Sequence, residues 1–399
     1  MRFILVYLLL TGYGYFVYSQ TKNTEYFSIN GKFFGTGTHV ITCSYRNAKD
    51  KWITSNCNIV NGRFSLKGSV NGATNMWLAS ESASGSSDDP NWVEVLIEPG
   101  IIEVVLKENE YKLIEIKGSS IWEKYLSLEK SKLPILKQLQ PLNDYLNLLN
   151  DSIRSASKLN DSSKVAQLFE NRKAVFDQMA PYKHELNQIE TRYVAEHPND
   201  YLSAFLLEKQ YMVYGLDKDT AKMYYNNFSA PVQNSYWIKS VIMDINRKEG
   251  SAIGATAKNF VAKDINGKEI SLVTFKSKSV VILDFWASWC VPCREAIPHL
   301  KLCYNKYQAS GIAMIAISED KDKAAWLKAI STDGTGNWNH VLADEDAKDV
   351  SNIGMKYETA PIPMCYLINK QGIIIGKWLG NSKENEEAID KKLQDIFGF

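Results

Sequence analysis

Between residues 21 and 118, apolar and polar positions alternate in short runs separated by turn signals. FSINGKFF, HVITCSY, WITSNCNIV, RFSLKGS, NMWLAS, NWVEVLIE, IIEVVLK and YKLIEI each carry the period of two that buries one face of a strand. Asn61-Gly62, Asn71-Gly72 and Pro99-Gly100 supply tight turns, because Asn and Gly accept positive φ. The cadence predicts an N-terminal all-β sandwich or barrel over residues 20–118, interrupted by the polar loop SESASGSSDDP at 80–90. From 121 to 249 the period becomes helical, as in the stripe Val165, Leu168, Phe169, Val175, Phe176 and Met179. Prolines at 134, 141, 181, 198 and 231 divide this stretch into several expected helices, a central α-helical spacer or docking region. His184 and Glu185 are adjacent there, but no second His follows at the spacing of a zinc-protease helix. Residues 251–399 alternate strand and helix, which predicts an α/β domain with a mixed sheet. A hairpin turns at Asn266-Gly267, and VVILDF, helix 291–309, IAMIAI and helix 322–330 follow. Further helix is expected over 345–356, then strands MCYLI and GIIIGKW, then a terminal helix over 383–397.

The first residues, MRFILVYLLLTGYGYFVYSQ, have the layout of a signal peptide over 1–19. Arg2 begins a positive n-region, Phe3–Leu10 form the apolar core, and Val17 and Ser19 stand at −3 and −1 of a cleavage site. The apolar run falls short of the ~20 residues that span a bilayer. An exported, soluble protein is expected; an uncleaved N-terminal anchor facing the periplasm is the alternative. No cysteine lies near this segment to carry a lipid anchor.

Composition narrows the classes. Hydrophobic residues are 45% and charged residues 23% of the 399, which is globular composition. Lys+Arg (46) and Asp+Glu (45) cancel to +1, so there is no basic footprint for nucleic acid. Six cysteines are too few for a disulfide scaffold, so their positions carry the information.

Two of them stand in DFWASWCVPCREAIP, residues 284–298, where a buried strand hands over to a helix. Cys290 falls at the helix N-terminus, where unpaired N–H groups and the helix dipole favour the thiolate. Cys293 lies one turn further in, within reach to form a disulfide and to resolve a mixed one. Pro292 sits where a missing N–H costs little. A zinc site would need two more ligands; His299 and Cys303 are near in sequence but on the helix behind the motif, so no metal is expected. A structural disulfide over so short a loop would constrain the unfolded chain little. Peroxidase chemistry would need Thr or Ser where Ala287 stands. Dithiol–disulfide exchange between Cys290 and Cys293 is the expected chemistry, with no cofactor.

Over residues 252–399 the chain resembles the exported TlpA/ResA-like thiol–disulfide oxidoreductases of the thioredoxin superfamily, on DFWASWCVPCR and APIPMCYLIN (360–369). The resemblance implies a thioredoxin-like fold with a cis-proline facing the cysteines. Pro363, preceded by Ile362, matches it; a proline that merely opens a strand is the other reading. Asp284 matches the buried acid behind the resolving cysteine, a proton-shuttle candidate or a tolerated buried acid. The lysine that pairs with that acid has no counterpart in IAMIAI. The family's acid three residues after the second cysteine is here Ala296, and its role does not transfer to Glu295. Trp286 and Trp289 match an aromatic floor and rim, Trp289 being the candidate substrate contact with Ile362 and Pro363. The β-rich and helical regions resemble those attached to such domains in Gram-negative envelope proteins.

The remaining cysteines have plainer readings. Cys43 and Cys57 flank a turn near Asp50 and form a candidate structural disulfide; Cys303 is core; Cys365 is core or has a secondary redox role. The expected function is a periplasmic protein disulfide reductase acting on disulfide-containing envelope proteins and recycled by a membrane-associated electron donor. The alternatives are a disulfide donor or isomerase, and a redox-regulated binding protein whose 21–249 region captures a partner.

Overall fold

The computed structural model describes residues 25–86, 88–343 and 353–399. The candidate signal peptide and the first part of the helix expected over 345–356 lie outside them. The chain divides into two compact units, one ending at Val241 and the other beginning at Ile242.

Among the described residues, the first unit has eight strands: β1 (Tyr26–Phe34), β2 (Val40–Arg46), β3 (Trp52–Asn58), β4 (Arg63–Ser69), β5 (Thr74–Ser80), β6 (Trp92–Ile97), β7 (Gly100–Lys107) and β8 (Glu115–Lys117). They form two four-stranded sheets, ordered β4-β1-β7-β8 and β3-β2-β5-β6. Alternation decides the inner face: Phe27, Ile29 and Phe33 of β1 are buried, as are Ile41, Cys43 and Tyr45 of β2. Phe27 meets Tyr45 edge-on at 5.2 Å between ring centroids, joining the two sheets as a sandwich. The turn before β4 uses Asn61 and Gly62, both at positive φ (51° and 68°).

The disulfide expected between Cys43 and Cys57 is not formed. Both are buried thiols, with sulfurs 3.8 Å apart. Cys57 pairs with Ile41, so it stands diagonal to Cys43 across the ladder. The hydrogen bond it shares with Cys57, with burial, pushes the Cys43 thiol far up, while the same bond lowers Cys57.

Helices follow: α1 (Ser120–Lys158), α2 (Ser162–Glu196), α3 (Tyr201–Met212), α4 (Lys218–Asn227), α5 (Ala230–Gln233) and α6 (Tyr236–Gly250). The expectation that five prolines punctuate this stretch is corrected. Pro134 and Pro141 lie inside α1 and Pro181 inside α2. Packing carries these helices past their prolines: Ile135, Leu139 and Leu149 of α1 close on Val175 and Met179 of α2. Pro198 does follow a helix end, and Pro231 opens α5. A buried charge cluster ties three helices: Glu190 accepts from Lys132 (2.5 Å), Lys209 (2.8 Å) and Gln210 (2.6 Å).

Among its described residues the second unit holds a hairpin, β9 (Val261–Lys263) and β10 (Glu269–Ser271), and five further strands. These are β11 (Val280–Trp286), β12 (Ile312–Ser318), β13 (Asn339–Leu342), β14 (Met364–Ile368) and β15 (Ile374–Leu379), ordered β13-β12-β11-β14-β15. β12 and β13 run parallel to their neighbours, β14 and β15 antiparallel. The helices are α7 (Val291–Tyr307), α8 (Lys323–Asp333), α9 (Ile353–Lys356) and α10 (Lys383–Phe397). Every residue of β11 and β12 is buried, as expected of strands covered on both faces. Val280, Ile282 and Trp286 pack with Ile297, Leu300 and Cys303 of α7 and Ile389 and Leu393 of α10. Val281, Leu283 and Phe285 point the other way, onto Phe260, Tyr357 and Tyr366. No described helix is long and apolar enough to cross a membrane.

Candidate active site

The site forms where β11 ends. After Trp286 the chain leaves the strand, crosses Ala287-Ser288-Trp289 and enters α7 with Cys290 as its N-cap. The Cys290 sulfur accepts the backbone N–H of Cys293 at 3.3 Å, and its carbonyl accepts that of Arg294 at 3.1 Å. Cys290 and Cys293 are joined in a disulfide, with an S–S distance of 1.98 Å and Cα atoms 5.3 Å apart. With their sulfurs bonded to each other, neither is a metal donor in this state. Both are buried, whereas Trp289 and Val291 beside them are each 66% exposed. The pair is thus rimmed by an apolar surface open to a partner, while Trp286 is wholly buried beneath it.

Asp284 shares the α7-facing side of β11 with Ile282 and Trp286, by the strand's period of two. It is 4% exposed, and burial pushes its carboxyl up to about 7. Cys365 of β14 is its direct cross-strand partner. Burial first, then the charges of Asp284 and Cys303, holds the Cys365 thiol well above its ordinary value.

The Ile362–Pro363 peptide is cis. Ile362 packs against both cores of the unit, and the Pro363 carbonyl accepts the N–H of Gly380 at 2.9 Å. A second cis bond, Ala360–Pro361, stands two residues earlier; only the resemblance pointed to Pro363, and nothing marked Pro361.

Residues unmarked by any motif hold the Ser288–Cys290 turn. The buried Asp320 carboxylate accepts the Ser288 N–H (2.7 Å), the Ser288 hydroxyl (2.6 Å) and the Ser318 hydroxyl (2.7 Å). Arg294 donates to the Ser288 carbonyl at 3.3 Å and pairs with Asp333 at the end of α8. The Trp286 carbonyl accepts the Glu319 N–H at 2.9 Å. Asp320 lies 32 residues from Ser288, so only the parallel pairing of β11 with β12 brings the two together. Glu295, on the outer side of α7, accepts from Asn381 at 3.0 Å.

A two-cysteine helix N-terminus at the C-terminal end of the central strand β11, with a cis-proline opening its neighbour β14, defines a thioredoxin-like disulfide-exchange fold. The AhpC/TSA family model matches residues 253–377. The thiol-disulfide oxidoreductase ResA of Bacillus thuringiensis (strain Al Hakam) is 33% identical over 147 residues, which is 37% of this chain and 81% of that protein. ResA of Bacillus subtilis (strain 168) is 32% identical over 139 residues, 35% of this chain and 73% of that protein. Among solved structures, the thioredoxin domain of a thiol-disulfide oxidoreductase from Bacteroides vulgatus is 30% identical, with a TM-score of 0.32 over 36% of this chain and 98% of its own. Through this C-terminal region the chain belongs to the ResA/TlpA-like thiol–disulfide oxidoreductases.

Proposed function

We propose that this oxidoreductase is an exported protein disulfide reductase that acts on disulfide-bearing envelope proteins. The supporting observation is the Cys290–Cys293 disulfide at the start of α7, beside the exposed Trp289. In the reduced enzyme, the Cys290 thiolate attacks one sulfur of a substrate disulfide. A Cys290–substrate S–S bond forms, and the other substrate sulfur leaves as a thiolate. Cys293, losing its proton, then attacks the Cys290 sulfur, which frees the second substrate thiol and leaves the enzyme disulfide. Two electrons pass to the substrate, and a membrane-associated dithiol donor returns them to the enzyme. Asp284 is the base for Cys293, and Trp289, Ile362 and Pro363 receive the substrate strand. Export rests on the layout of residues 1–19.

Trapping tests the assignment. Cys293→Ser accumulates mixed disulfides with partner proteins in envelope extracts, and Cys290→Ser accumulates none. Equal trapping by both variants, or by neither, refutes the division of roles. The reduction potential of the pair tests direction: a value near ~−270 mV supports a reductant, one near ~−120 mV a disulfide donor.

A further inference from the structure

Away from the cysteine pair, three side chains of different chemistry converge where α7 meets α10. His299 and Cys303 stand one turn apart on α7, and Asp390 reaches them from α10, 91 residues from His299. The His299 Nε2 lies 3.0 Å from the Asp390 carboxylate and 3.5 Å from the Cys303 sulfur, and that sulfur lies 3.4 Å from the same carboxylate oxygen. All three donor atoms fall within 4.8 Å of one another.

We infer that His299, Cys303 and Asp390 form a binding site for a divalent zinc-class metal ion. With Zn–N and Zn–O near ~2.05 Å and Zn–S near ~2.3 Å, a tetrahedral ion sets its N–O edge at ~3.3 Å and its S–N and S–O edges at ~3.6 Å. The three observed edges are close to these, so the donors need move only by tenths of an ångström. A thiol among nitrogen and oxygen donors selects zinc over calcium or magnesium. Three protein donors leave the fourth corner to water.

The geometry also separates this reading from a nucleophile relay. A Cys–His–acid relay uses the two different ring nitrogens of the histidine. Here Asp390 and Cys303 face the same one, Nε2. On binding, the thiol proton leaves to solvent and the sulfur–metal bond forms with no change in oxidation state. The neutral imidazole, thiolate and carboxylate together balance the two positive charges of the ion. Access is open, because the Asp390 side chain is 60% exposed while Cys303 is buried behind it. A bound ion would fasten the helix that starts with the redox cysteines to the last helix of the chain.

Cobalt(II) titration of the full chain, with Cys290 and Cys293 kept oxidised, tests the site. The expected result is one equivalent bound, with a thiolate-to-cobalt charge-transfer band and intense tetrahedral ligand-field bands that Zn²⁺ bleaches. His299→Gln, at a partly buried position, and Asp390→Asn, at the surface, should each weaken binding at least ~10-fold, with an unchanged far-UV spectrum reporting that they fold. Cys303→Ser should remove the charge-transfer band. Substituting Cys43 and Cys57 together by Ser should leave the spectrum and affinity unchanged. Zn²⁺ should raise the Tm of the parent but not of His299→Gln. Absence of the band in the parent, its survival at full affinity in His299→Gln and Asp390→Asn, or its loss on replacing Cys43 and Cys57 overturns the proposal.

Discussion

Asp284 of β11 and Cys365 of β14 stand directly opposite each other in the antiparallel ladder, on the side of the sheet that α7 covers. A carboxyl and a thiol, both removed from water, therefore sit behind the redox helix. Burial raises both, the Asp284 carboxyl to about 7 and the Cys365 thiol well above its ordinary value.

The pH dependence of stability follows from Asp284. Its carboxyl in the native state keeps its proton up to about 7, while the unfolded chain loses it in the ordinary carboxylate range. The native state then binds more protons, so stability falls as pH rises from about 4 to about 7, by about 4 kcal/mol. Urea unfolding of Asp284→Asn should lack this fall. The Cys293-dependent release of substrate should lose an ionisation near 7 in the same variant. Parallel stability profiles for parent and variant would contradict the placement of a protonated acid there.

His340 works in the opposite sense. Burial lowers its imidazole to about 4, against the hydrogen bond between Nε2 and the Thr335 carbonyl at 2.9 Å. The unfolded chain takes up a proton near pH 6.5, so stability is present above that pH and is lost as pH falls towards 4, by about 3 kcal/mol. His340→Phe should flatten the acid limb of the unfolding curve. An unchanged acid limb would mean that His340 titrates as freely in the native state as in the unfolded one.

Asp320 holds the turn before Cys290 by two hydrogen bonds from Ser288 and is itself held by the Ser318 hydroxyl. Asp320→Ala leaves their donors unserved and should cost on the order of 3 kcal/mol. The disulfide-reduction rate should fall as well, because the Ser288–Cys290 backbone is no longer positioned. Asp320→Asn, which keeps part of the acceptor set, should recover part of both. A urea midpoint unmoved in Asp320→Ala would count against the clamp.

The helical region makes a separate prediction. Glu190 and Lys132 are almost wholly buried, so removing Lys132 leaves the Glu190 carboxylate to Lys209 and Gln210. Lys132→Met should cost on the order of 2 kcal/mol by chemical denaturation, below the ~3–5 kcal/mol of a wholly stranded charge. Lys132→Met combined with Glu190→Leu should recover much of that loss, although Lys209 then loses its partner too. A double variant no better than the single one would show that packing, not charge, governs the site.

By itself the sequence determined the strand cadence of 20–118, the helical period after 121, the largely apolar runs that became β11 and β12, and the cysteine spacing at the head of α7. These are local properties: a period of two or 3.6, a turn residue that accepts positive φ, and a helix start that favours a thiolate. Proline misled in the same local terms, because the contacts that carry α1 and α2 past residues 134, 141 and 181 come from the facing helix. Only the tertiary structure decided that Asp284 faces Cys365, that Asp320 clamps Ser288, that Cys43 and Cys57 meet as thiols, and that Asp390 joins His299 and Cys303. Each of these depends on strand register or on how one helix packs against another. Spacing along the chain carries no record of contacts made between residues far apart in it.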